Sequence, residues 1–561
     1  MKKTIFFLTV LFLAACLAFG TGGQQQGGTA ARGVPGYLNM DSIGLNGIPI
    51  VKNGQTQTVN VAVSKTSTQG AANQIWTWEY FRRAHNIDAR VEQIVAPAEY
   101  RALTFAAGDL PDVMINMGIT GMDLVMYGMG EGLILKADEY IAGYMPNLSD
   151  IYAKFPLLRN EITLPDGHIY GLGTVYELGN PGMPYSIYSI KTALLKEIGI
   201  PEPTTLDEFI EMARAVKKYY PDNAPIMGGY NVNNPCGPIL GAFGWVTNDP
   251  KGLTPAIRNG KVVFPYGDRE IYGEYLKTMN TLYSENLILS NFYTATSADV
   301  NVQWGTGKTV TNPGGVNGQA AVQWEGIMPL TSRFNSTRVW PGMSNPATFN
   351  VWIMSAKTRM PELLCKWYDF WFDNLASTLM VFGPMKGGNI DTYGLTDGWF
   401  WDTEINDVAY EPVRNDPENR YQNNHFNYRQ AHVAIGDSRY GNRFTNNQDD
   451  LALMAGVDFH IIWSEQEFSP QNRPNWNKLK QMPYWTNPYP GNIFFTLDVN
   501  RRITDLSSVI NSYVETETAR FITGVRSLTD AELNAYFNGL DALGYQEYLK
   551  YYVDYYDARE K

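Results

Sequence analysis

Val59, Val61 and Val63 alternate with Asn60, Ala62 and Ser64, a period of two that predicts a half-buried strand. A Ser/Thr/Gly-rich loop (64–70) follows, then a helical stretch from about Ala72 to His85. Arg90 to Val95 predicts a second strand and Tyr100 to Ala107 a second helix. The run from Gly108 to Asn116 (GDLPDVMIN) predicts a turn leading into a short apolar strand. Strand, helix, strand, helix, strand is the pattern of a parallel α/β sheet. Further on, Thr205-Leu206-Asp207-Glu208 forms a capping box, with Leu206, Phe209, Ile210, Ala213 and Val216 on one helical face. Thr529-Asp530-Ala531-Glu532 is a second box, with Leu533, Phe537 and Leu540 sharing a face and Gly544 past the end. Leu364, Trp367, Tyr368, Trp371 and Leu375 predict one amphipathic helix between Pro361 and Leu375. From about Asp391 to Pro490 the periodicity fades into an Asn-, Tyr-, Trp- and Pro-rich stretch, expected to be a loop-rich elaboration.

The N-terminus has its own pattern. Met1-Lys2-Lys3 precedes an apolar run from Ile5 to Ala15, too short for a membrane span of roughly 20 residues and matching a secretory signal. Leu13-Ala14-Ala15-Cys16 resembles a bacterial lipobox, in which Cys16 would be lipidated; Ala18-Phe19-Gly20 is a rival site for ordinary cleavage. Either cut implies export. Gly20 to Gly28 then reads as a flexible tether. With Cys16 acylated, Cys236 and Cys365 remain, either as one disulfide or as two buried thiols.

Composition narrows the partners. With 44% hydrophobic and 18% charged residues, the chain has too much buriable surface for a disordered protein. Its 561 residues suggest three or four ordinary domains or two large ones, at about 150 residues per domain. A net charge of −12, without Lys/Arg runs, lacks the footprint of nucleic-acid binding. The 14 Trp and 35 Tyr residues lean towards amphipathic ligands such as sugars, which meet a flat apolar face beside a polar handle.

The order of four motifs carries a resemblance. Leu103 to Ile115 (LTFAAGDLPDVMI), Leu164 to Leu172 (LPDGHIYGL), Tyr188 to Tyr219 and Gly318 to Trp324 (GQAAVQW) resemble the extracellular solute-binding proteins of bacterial ABC transporters, in particular the large lipoprotein branch that serves oligosaccharides. His168 and Gly173 depart from the pattern, which has Lys and Pro there. The resemblance implies an α/β, two-lobe periplasmic-binding-protein-like fold with crossing hinge segments. Its expected division is a signal peptide over 1–20, a tether and entry over 21–55, one lobe from 56–175 plus about 326–385, and a second from 176–325 plus about 386–561. Some relatives carry a calcium loop after the capped helix; Tyr219 to Pro225 lacks its ladder of Asp and Asn, so no calcium is expected there. No cofactor and no metal site are expected.

The same motifs nominate ligand contacts: Asn116 and Met117 beyond the third strand, and Tyr176 and Glu177 at the crossing. Trp245 belongs to an aromatic stretch of the second lobe, and Trp324 and Glu325 end the strand 318–323. Trp76 and Trp78 belong to the first helix, where i, i+2 spacing lets only one face inward. Trp399 and Trp401 alternate within the elaboration. For each, packing is the plainer alternative, and Asp112 reads as a turn or capping residue. Catalysis has no motif behind it: no HExxH, GxSxG or P-loop is present. The expected function is capture of an oligosaccharide outside the cell, by a lipid-anchored monomer, for delivery to the transmembrane subunits of an ABC permease. A glycan-active enzyme and a carrier of peptide or another non-sugar solute are the other classes.

Overall fold

A computed structural model describes residues 33–65, 70–176, 188–314, 323–342, 346–393, 395, 398–402, 407–421, 425–435, 443–444 and 481–559. The signal segment with Cys16, Glu177 and residues 318–322 of the expected strand lie outside them.

The first lobe opens with β1 (Gln57–Ser64), α1 (Trp76–Ala84), β2 (Ile87–Ile94), α2 (Pro97–Ala107) and β3 (Val113–Ile115). β1 pairs in parallel with β2 and β3, as the alternating pattern predicts. α2 begins with Pro97 in its first turn and ends at Gly108, whose φ of 62° only glycine adopts readily. α3 (Pro146–Lys154) follows, and the turn at Gly167 leads to β4 (Gly171–Leu172).

After the crossing, the second lobe holds β5 (Ser189–Ile190), α4 (Thr192–Ile198), α5 (Leu206–Tyr219), α6 (Tyr272–Ser284), α7 (Ser297–Gly305), β6 (Thr311–Asn312) and β7 (Glu325–Gly326). β5 lies between β7 and β6 and is antiparallel to both. Thr205 and Glu208 close the capping box of α5 in both directions.

The chain then returns. β8 (Trp352–Met354) inserts antiparallel between β3 and β4, completing a five-stranded sheet of order β2-β1-β3-β8-β4. α8 (Pro361–Asp369) is buried along its whole length. Its last residue, Asp369, accepts hydrogen bonds from the Asn147 and Leu148 amides at 3.2 and 2.9 Å, capping α3, whose own N-cap residue Met145 has no side-chain acceptor. Burial pushes the Asp369 carboxyl up to about 7, against the pull of those amides. The single helix expected to Leu375 stops here: a 3₁₀ turn (Phe370–Phe372) intervenes, and Asp373 caps a separate helix (Asn374–Phe382). α9 (His425–His432) comes from the elaboration, and α10 (Leu497–Ile522), α11 (Asp530–Ala542) and α12 (Tyr545–Arg559) close the second lobe.

Two main cores follow this division. One gathers Ile190, Phe209, Trp245, Leu276, Ile327, Trp340, Ile510, Phe521 and Tyr536; the other gathers Val61, Phe81, Val113, Leu172, Trp352, Trp367 and Phe372. The boundaries differ from those expected. Residues 326–342 pack with the second core because β7 pairs with β5. Val433 and Ile435, expected in the second lobe, pack into the first. Leu38, Ile50 and Val51, expected in a flexible entry, are buried in the first core, where Ile50 and Val51 donate backbone hydrogen bonds to His85. Cys236 and Cys365 are separate buried thiols, one in each core.

The lobes also touch at Asn492, whose side chain donates to the Ala347 carbonyl at 2.6 Å, and at Phe494, which is buried in a first-lobe cluster beside Phe349. Arg559, at the end of α12, pairs with buried Glu161.

Candidate functional site

Parallel strands gather their carboxyl ends on one edge, and in α/β sheets that edge is where ligands bind. Here Ser64, Ile94 and Ile115 end β1, β2 and β3 together. Lys65 continues from β1 with its amide bonded to the Ile94 carbonyl at 3.1 Å. Gln93 holds both ends of the following loop: its amide nitrogen donates to the carbonyls of Lys65 and Gly70, and its oxygen accepts from Ala72 N at 2.8 Å.

Beside it, Asn116 has a φ of 54°. Asparagine tolerates the left-handed region better than most residues, and such a conformation at a strand end marks a place where the backbone is turned on purpose. Its amide bonds to the Val351 carbonyl, and its side chain donates to the Ile435 carbonyl at 3.4 Å. Met117, the next residue, is fully buried in the core below and presents no surface.

The segment from α9 to Ile435 covers this edge. Thr77 donates its hydroxyl to the Val433 carbonyl at 2.5 Å. Gly70 lies so close to Ala431 that an added Cβ would stand 3.1 Å from its carbonyl oxygen. His432 meets the Tyr421 hydroxyl at 2.8 Å, and the Arg429 guanidinium lies 4.3 Å from the Phe382 ring centre.

The aromatic candidates are placed differently. Trp76 and Trp78 are both buried, where the spacing argument allowed one. Trp76 stacks on Tyr80 and donates to the Asp391 carbonyl, while Trp78 packs edge-on to Trp367. Chain some 300 residues away thus covers the side a lone helix would leave open. Trp245 is 1% exposed, stacks on Phe243 and donates to Asp268 at 3.0 Å, inside the second core. Trp399 is buried in a small cluster of the elaboration, donating to the Gly383 carbonyl, and Trp401 packs partly against that cluster.

β7 begins at Glu325, where pairing with Ile190 starts, and Trp324 immediately precedes it. Trp324 lies against Trp304 at 5.3 Å, and Thr192 donates to Glu325 at 3.3 Å. This is the Ile190 end of β5, opposite the Tyr188 end at which the chain enters the lobe. Tyr176 belongs to a two-residue strand paired with Arg443–Phe444, which ties the crossing to the elaboration. Asp112 accepts from Asn60 and Thr358, a structural tie.

The strand-edge group of Lys65, Gln93, Gly70 and His432 was missed in the sequence. A polar residue directly after a three-valine strand is the available signal, and in sequence it is indistinguishable from the start of a loop. Among the described residues, no group of three or more His, Cys, Asp or Glu could hold a metal, and no helix is long and apolar enough to cross a membrane.

No protein-family model matches the chain. It is 26% identical over 492 residues, 82% of each chain, to the fructooligosaccharide ABC transporter substrate-binding protein FusA of Streptococcus pneumoniae. Among solved structures, FusA in complex with kestose aligns with a TM-score of 0.64, covering 90% of this chain and 99% of the other at 20% identity. A human-milk-oligosaccharide (HMO)-binding solute-binding protein from Bifidobacterium longum infantis aligns at 0.66, with the same coverage and 19% identity. These structural likenesses show the fold.

Proposed function

We infer that the chain is a solute-binding protein of a bacterial ABC importer, of the kind that captures carbohydrate outside the cell. The observation that carries this is agreement along 82% of both chains with a fructooligosaccharide carrier, on a fold in which two α/β cores are joined by crossing segments. It is a binder and a carrier, not an enzyme.

The cargo is an oligosaccharide held between the lobes. Asn116 contributes from the first lobe, and Tyr176 and Glu177 are the candidates that the sequence assigns to the crossing. Binding works by closure: a ligand that touches both lobes favours the closed form by its differential contacts, and the closed form docks on the permease. The protein acts as a monomer tethered through lipid on Cys16, which supports capture beside the permease.

A thermal-shift screen of the mature domain against neutral and acidic oligosaccharides, monosaccharides and peptides tests the reading. Ligand at about 100 times its Kd stabilises the native state by roughly 2.7 kcal/mol. A shift with one glycan class is expected. A response to peptides with silence across the glycans would replace the cargo and keep the fold.

A further inference from the structure

Lys65 is out of keeping with its surroundings. It is 2% exposed, its ammonium nitrogen is buried, and no hydrogen-bond partner among the described residues reaches it. Buried lysines are rare in proteins and are almost always paired, because an ammonium stripped of water must be compensated by an anion or by several acceptors. Burial alone pushes its pKa down to about 8, with no carboxylate among the causes.

A further titratable group stands close by. His432, on α9, is the titratable group that feels Lys65, and it is held below the usual imidazole range by burial first, then by the charges of Lys65 and Arg420. Arg429, one turn earlier on the same helix, is also buried. Lys65 itself sits at the carboxyl end of β1, where β3 ends beside the turned backbone of Asn116.

We propose that Lys65 is the anchor for an anionic group of the carried ligand, so that the cargo is an acidic glycan bearing a carboxylate or sulfate. A neutral hydroxyl could accept a hydrogen bond from the ammonium but would leave its charge unbalanced. An anion supplies both the acceptor and the countercharge. The overall charge of −12 does not oppose this, since distant surface charges are screened while the buried ammonium sets the field at its own position. The identity of the cargo rests on the carrier reading above; the anion site does not.

Two measurements on the mature protein separate these. The first compares thermal unfolding in sodium sulfate and in sodium chloride of equal ionic strength, for wild type and Lys65→Met. A saturable extra rise of about 3 °C in sulfate is expected for wild type and none for the variant. Equal responses of the two proteins would overturn the anion site. If Lys65→Met does not fold, Lys65→Gln takes its place. The second is calorimetry with oligogalacturonates and their methyl esters, and with sulfated and unsulfated galactans. An acidic glycan that loses about 100-fold in affinity in the variant, with its neutral counterpart unaffected, is the expected result. A neutral glycan that binds most tightly and is indifferent to Lys65→Met would overturn the proposal and leave the carrier reading standing. Silence of every glycan would count against the carrier reading, and the sulfate comparison would then decide the anion site alone.

Discussion

The two lobes are built on different principles. The first is organised by its sheet: five strands, three of them parallel, whose carboxyl ends converge on Lys65, Gln93 and Asn116. The second has a three-stranded sheet of two-residue strands, and its core is made by helices and aromatic rings around Trp245, Tyr272, Tyr275 and Tyr536. Aromatic rings pack both cores; what sets the first lobe apart is a parallel sheet that polar residues finish at its strand ends. A high aromatic content therefore reports on packing here before it reports on sugar.

Trp245→Ala is the severest test of that contrast. Removing a fully buried ring and its bond to Asp268 should destabilise the protein by about 3–5 kcal/mol in chemical denaturation, without changing which glycans bind. Loss of ligand affinity at unchanged stability would make Trp245 a binding platform and break the contrast.

Lys65→Met should act in the opposite direction. The folded-state pKa of about 8 lies below the ordinary lysine value of 10.5, so the penalty of a buried ammonium is present in full below pH 8. It fades as pH rises from 8 to 10.5, where the folded protein binds fewer protons than the unfolded chain. The variant should therefore be more stable than wild type by about 3 kcal/mol at pH 7, an advantage that shrinks to nothing near pH 10.5. Denaturation curves across this range would show it; a variant weaker than wild type at pH 7 would mean that the ammonium is compensated in the free protein.

Gly70→Ala is the mildest. Gly70 has a φ of 85° and stands against the Ala431 backbone, so the substitution should destabilise by about 1–2 kcal/mol while lifting α9 from the strand edge. Faster amide exchange confined to residues 428–435 would sharpen the first lobe's description; exchange that rises in the second lobe instead would blur it.

Local signals survived from sequence to structure. The β1-α1-β2-α2-β3 run and the Thr205–Glu208 box depend on residues close in sequence, and both stand where the pattern put them. Features made by distant chain did not. Trp78 is buried by Trp367, Trp76 is covered near Asp391, and Lys65 loses its water to the α9 segment. None of those partners could be paired from one sequence. The boundary at residue 326 failed for the same reason: only the pairing of Glu325 with Ile190 assigns that stretch to the second lobe.

The two buried thiols make the molecule its own reporter. Cys236 touches Met279 in one core and Cys365 touches Met354 in the other, and burial raises both thiol pKa values far above the reactive range. Each stays silent to an alkylating reagent while its own lobe is intact. In the mature domain freed of its leader, the order in which the two are labelled during a denaturant pulse is a clock for which half opens first, read by mass from an unaltered chain.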